Sequence, residues 1–242
     1  LTDVVDLSVS GTSNLGANVT TSGTQTYTGA TTLSGGDRTL TGSTMNFGNT
    51  LTGTASHDLI ITGNLDLDGA LTDVVDLSVS GTSNLGANVT TSGTQTYTGA
   101  AIISANISLT GGSQLTFSST VDSSDTDGTT DSRTLTTTFT ETEFDGAVGG
   151  TYALGAHDIN GNLDLDAAIT SAASIDVSGT SNLGANVTTT GTQTYTGATT
   201  LSGGDRTLTG TTIKVVSTDA VGINAIAISG NLELDGEATG LT

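Results

Sequence analysis

Cysteine, proline and tryptophan are absent from the 242 residues, methionine occurs once, and aromatic side chains make up only 3%. Without cysteine there is no disulfide framework and no thiol chemistry. Small secreted domains often depend on disulfides, so a cysteine-free one must find stability elsewhere, and stacked strand ladders are one way. Without proline, no residue withholds a backbone donor from such a ladder. Basic residues are nearly missing too. Arg38, Arg133, Arg206 and Lys214 stand against 24 acidic residues, for a formal net charge of −20. That balance excludes nucleic acid and anionic membrane surfaces as partners, since both need clustered Lys and Arg. No apolar run approaches the about 18 residues of a membrane span, and no signal peptide is visible. An acidic, lysine-poor surface suits a secreted protein in salty or calcium-bearing medium.

What remains is rich in Thr, Gly, Ser, Asn and Asp, a composition that on its own suggests disorder. Two features oppose that. Hydrophobic residues reach 33%, and Val, Ile and Leu recur in short alternating runs. The chain is also repetitive. Residues 1–30, LTDVVDLSVSGTSNLGANVTTSGTQTYTGA, return letter for letter at 71–100, and a third version fills 169–198. A second block reads TGNLDLDGALT from Thr62, NGNLDLDAAIT from Asn160 and SGNLELDGEATGLT from Ser229. A third, LSGGDRTLTG, appears at 33–42 and 201–210. The units are therefore 1–70, 71–168 and 169–242, and the chain, starting in mid-repeat, reads as a section of something longer. The equivalent Gly11, Gly81 and Gly179 are 70 and then 98 residues apart. The middle unit thus carries an insertion, within 121–157, of about one coil. A stack gains a rung without disturbing its neighbours.

The local signal is β throughout. Val5, Leu7 and Val9 alternate with polar residues, the period-2 pattern of a half-buried strand. Leu65 and Leu67 are expected inward with Asp66 and Asp68 outward; Tyr27 and Leu33 share one face, as do Leu135 and Phe139. Gly punctuates the runs, supplying corners. Strands this short cannot each bury a sheet face alone, but stacked as coils they can. The expected fold is all-β: a right-handed parallel β-helix (β-solenoid) built from three internal repeats, each about three coils. Ten to twelve coils at about 4.8 Å would make a rod of roughly 50–60 Å. Asn14, Asn84 and Asn182 would then stack as amide ladders. A string of Ig-like sandwiches is the runner-up, but its unit is longer and its core Trp is missing here.

The runs SGTSNLGANVTTSGTQTYTGATTLSGG and ITGNLDLDGALT resemble the repeat regions of very large secreted bacterial surface proteins of the filamentous-haemagglutinin type. The resemblance covers nearly the whole chain, apart from the insertion after Val121. It implies a right-handed β-helix exported to the cell surface and acting in adhesion, biofilm or filament formation.

Catalysis finds little to work with. His57-Asp58 and His157-Asp158 occupy what read as equivalent places, and His beside a carboxylate can be half of a triad. The third unit has Ile223-Asn224 there, and no Ser sits in a nucleophile elbow, so the chain is not expected to be an enzyme. Asp125, Asp127 and Asp131 offer oxygen ligands at spacings that suit calcium. The EF-hand pattern nonetheless fails at Ser123 and Thr134, and loose, charge-screening calcium binding by the Asp rows is the stronger expectation. The triplets Thr24/Thr26/Thr28, Thr94/Thr96/Thr98 and Thr192/Thr194/Thr196 raise an ice-binding reading, which needs the threonines on successive coils. Asn18, Asn88, Asn106 and Asn186 match the glycan acceptor pattern. The expectation is an extracellular rod or self-assembling filament whose partners are itself, stacked head to tail, or further repeats of the same chain, with a host or neighbouring cell surface as a third. A stalk in a giant adhesin is the alternative; calcium-binding or ice-binding solenoids are minor ones.

Overall fold

The computed structural model describes residues 4–54, 56–125 and 131–241. Among them every regular element is a β-strand and every ladder is parallel. The chain winds through about 11 turns of a β-solenoid, laying strands on three faces per turn. Leu7–Val9, Ser13–Leu15 and Val19–Thr20 open the first, second and third faces. One coil later their partners are Gln25, Thr31 and Leu40. The first two steps are 18 residues and the third 21, the difference being taken up at a corner. Most coils keep to this range. The exception is the middle unit, where Ile107 pairs with Leu135 across the insertion.

The alternation in sequence becomes inside and outside. On Leu59–Leu67 the side chains of Leu59, Ile61, Leu65 and Leu67 are buried, while Ile60 and Asp66 turn away from the core. In-register parallel pairing also sets like shapes on one another about 4.8 Å apart. Tyr27 stacks on Phe47 at 5.1 Å, and Tyr97 on Phe117 at 5.1 Å, with Phe144 following at 5.5 Å.

The core is not wholly apolar. The QTY element turns its glutamine inward as well as its tyrosine, and Gln25, Gln95 and Gln193 are fully buried. Each amide is held in the same way: Gln95 Nε2 donates to the Val89 and Thr110 carbonyls and the Thr91 hydroxyl, while the Tyr97 hydroxyl donates to Gln95 Oε1 at 3.1 Å. Burial pushes the Tyr27 phenol up to about 12, so these phenols remain proton donors at neutral pH. The LSGGDR block makes a corner around a buried guanidinium. Gly35 and Gly36, like Gly203 and Gly204, take positive φ, a region glycine adopts without strain. The loop brings Arg38 Nε to the Leu15 carbonyl at 2.8 Å and Arg206 Nε to the Leu183 carbonyl at 2.9 Å.

Several expectations are corrected. Each unit is not three coils. The ladder from Leu7 through Gln25 and Met45 to Leu65 takes three coils, and Leu77, the copy of Leu7, lies two faces further on. Its strand therefore sits on the third face, above Leu59, and the next copy, at Ile175, on the second, above His157. Identical segments thus stand on three different faces, and the proposed asparagine ladders do not form. Asn14 accepts from the Ser34 hydroxyl, whereas Asn84 and Asn182 donate to Asp66 at 2.8 Å and Asp164 at 2.9 Å. Val5 is 66% exposed rather than inward. In the copy at 71–76, Asp73 takes a φ of 60°, which breaks the alternation and turns Val74 into the core.

Candidate functional site

The two histidines are not equivalent. Counted back from the matching Gly63 and Gly161, His57 lies six residues away and His157 four, and that shift of two separates a corner from a strand. His57 is half-exposed, its Nδ1 3.7 Å from Asp37. His157 points inward on Leu154–Leu165 between Leu135 and Ile175, fully buried, its ring edge-on to Phe144 at 5.3 Å. Neither ring nitrogen has a hydrogen-bond partner, and burial lowers its pKa to about 4. A neutral imidazole sealed from solvent and from any carboxylate has no route to a substrate.

Of the calcium candidates, Asp127 lies outside the described residues. Asp131 is engaged within the protein: its Oδ2 accepts from the Ser124 hydroxyl at 2.5 Å and lies 3.3 Å from the Arg133 guanidinium. Asp125 accepts a hydrogen bond from Tyr152, which, with the carboxylate's charge, holds that phenol above its ordinary value. Asp122 receives the backbone amides of Thr151 and Tyr152 at 2.8 and 3.1 Å. Asp122 and Asp125 thus tie this stretch to the next coil, whereas Asp131 joins residues of the inserted loop to one another.

A different acidic group forms where coils stack. Glu143, Asp145 and Asp166 bring carboxylate oxygens within 4.8 Å of one another. Partial burial raises the Glu143 pKa, the Thr116 hydroxyl opposes the shift, and Asp145, Asp164 and Glu141 add to it. Oxygen donors of this kind suit a hard divalent cation. Spacing in sequence gave no sign of the group, because Asp166 joins it only through the coil above.

The threonine triplets fail the stacking requirement as a set. Thr26, Thr96 and Thr194 sit on three different faces: Ser8 and Asn46 flank Thr26, Asp176 and Lys214 flank Thr194, and Thr96 has Ser78 on one side and Thr116 on the other. Other threonines do align. On the second face Thr32, Thr52 and Thr72 pair in succession. Past the irregularity at Asp73 the row resumes with Thr90, Thr110 and Thr138, and it ends at Asn160.

No family model, curated protein or solved structure matches the chain.

Proposed function

We propose that the chain is a structural and adhesive element, a stiff extracellular rod at a cell surface. The observation that carries this reading is the unbroken ladder: the column starting at Leu7 continues rung upon rung to Ile228. Backbone donors and acceptors satisfied along one axis resist bending and proteolysis, and each coil contacts only its neighbours. The acidic, lysine-poor exterior suits salty medium outside the cell. Electron microscopy of the purified chain should find rods of about 50 Å, as about 11 turns require. Antibody against it should label intact source cells, and chain-coated beads should adhere to them. Labelling only after permeabilisation, or compact particles in place of rods, would sink the reading.

The aligned threonines favour a second reading, ice binding by the second face, where hydroxyls and methyls recur at the coil spacing. Its test is thermal hysteresis. Measurable activity that Thr72→Tyr abolishes would support it, and activity no greater than a control protein of equal concentration would dismiss it.

A further inference from the structure

The column that starts at Leu7 is thinnest at Val148. One coil earlier, Ala101–Ile103 and Val121–Ser123 pair over three residues. The next coil offers Val148 alone, with a single bridge to Val121 on one side and to Ile169 on the other. Around it residues 145–153 form no strand, and Gly146, Gly149, Gly150 and Gly155 interrupt the run. Glycine has more backbone freedom to regain than any other residue, so entropy favours release of this stretch over that of its neighbours. Its ties to the preceding coil are few. Val121 N donates to the Ala147 carbonyl at 3.0 Å, Gly149 N to the Val121 carbonyl at 2.8 Å and Ser123 N to the Tyr152 carbonyl at 3.2 Å. Thr151 and Tyr152 turn their own amides to the Asp122 carboxylate instead of a backbone carbonyl.

His157 lies just beyond this weak stretch, three residues into the strand Leu154–Leu165. Peeling that reaches it breaks the pairs of Leu154, Ala156 and His157 with Ala172, Ser174 and Ile175, together with the pair to Leu135. The far part of the strand, from Ile159 to Leu165, can keep its own pairs with the coils on both sides. The ring is therefore buried in the closed coil yet within reach of a local opening.

We infer that the stretch from Asp145 to Asp158 is an acid-sensitive joint, which opens locally on protonation of His157 while the coils on either side keep their ladders. A stiff rod with one such joint loses its continuity at a chosen coil in mildly acid medium and regains it on neutralisation.

Among the described residues no charged group faces the ring from the strands packed on it. On Leu135–Phe144 the inward side chains are apolar or threonine, and Glu141 and Glu143 lie on the outer side. On Ile169–Val177 Asp176 is exposed, and on the histidine's own strand Asp158 and Asp164 turn outward. Asp122 holds the two amides given above, and Arg133 turns to Asp131 at 3.3 Å. With both ring nitrogens unpartnered, a proton gained in the closed coil would have no acceptor to stabilise it, whereas in the opened coil water supplies one. The sign follows. The closed-coil pKa of about 4 lies below the ordinary 6.5, so the opened form binds the proton first. Opening is favoured as pH falls through 6.5 and gains nothing more from this group below 4. Between pH 7.5 and pH 5 the gain is about 30-fold.

Hydrogen exchange of the full chain, read by mass spectrometry at pH 7.5, 6 and 5 with the intrinsic rates corrected for pH, tests the joint. Protection across residues 147–158 should fall about 30-fold over that range. The strand Leu59–Leu67, which carries Leu59 where the later copy has His157, should change far less. His157→Leu places in this position the residue that the first copy already buries there, and it should remove most of the fall. An equal fall in His157→Leu would put the acid response on the carboxylates, Asp122 foremost, and overturn the assignment to His157. Unchanged protection at 147–158, or an equal fall at Leu59–Leu67, would overturn the joint itself.

Discussion

Replacing His157 by leucine should stabilise the solenoid, and by more in acid than at neutral pH. The corresponding positions in the other units are Leu59 and Ile226, so the substitution restores a side chain this seat already accepts. At neutral pH the imidazole is uncharged, but its N–H and its bare nitrogen are both buried without partners. An unsatisfied buried polar group costs about 1–3 kcal/mol, and the variant should recover an amount in that range. The second part is linkage. The folded-state pKa is about 4 against an ordinary 6.5, so between those values the unfolded chain takes up a proton that the folded one refuses. Stability contributed above pH 6.5 is then lost as pH falls towards 4. At about 1.4 kcal/mol per pH unit the loss is roughly 3 kcal/mol. The carboxylates respond to acid in their own way, but equally in both proteins, so the difference between the two isolates His157. Urea unfolding followed by circular dichroism at pH 7.5, 6, 5 and 4 measures it. The gap should widen steadily below pH 6.5 and level off below 4. Parallel curves from pH 7.5 to 4, or a variant less stable than the parent at pH 7.5, would refute the reasoning.

Other substitutions probe the polar devices of the core. Gln95→Leu strands the Tyr97 hydroxyl and two backbone carbonyls and should cost about 3 kcal/mol in urea unfolding; adding Tyr97→Phe should return roughly 1 kcal/mol of it. Arg206→Lys should lose about 2 kcal/mol, because an ammonium cannot reach the Leu183, Ser202 and Asp205 carbonyls together as the guanidinium fork does. Gly161→Ala should lower the thermal midpoint sharply, by an amount equivalent to about 3 kcal/mol, since φ is 145° and a Cβ would meet the Phe139 carbonyl. Gly11→Ala, with nothing within 4 Å, should leave the midpoint of the isolated rod within about 0.5 kcal/mol of the parent.

Much of this could be read in the sequence because strand alternation is a local property. Leu65, Leu67, Tyr27, Leu33, Leu135 and Phe139 all sit inside as their spacing requires. The misreadings arose where local geometry breaks that period, as at Asp73, or where two positions that look alike in sequence differ by two residues in register, as for the histidines. The inward glutamines were missed because a polar residue on a strand reads as solvent-facing unless its partners are known. Those partners include the Thr41, Thr110 and Thr209 carbonyls, which belong to the next coil and are distant in sequence.

By itself, then, the sequence determined the fold class, the repetitive coil and the identity of most core residues, because these follow from alternation, glycine corners and the absence of proline. Only the tertiary structure decided which residues stack on which. Copies spaced by three and two-thirds coils, or by four and two-thirds across the insertion, cannot fall on one face, so the ladders bring together unlike segments. Thr32 meets Thr52, Asn84 meets Asp66, and Glu143 meets Asp166 because corner lengths, summed along the chain, set the register between coils.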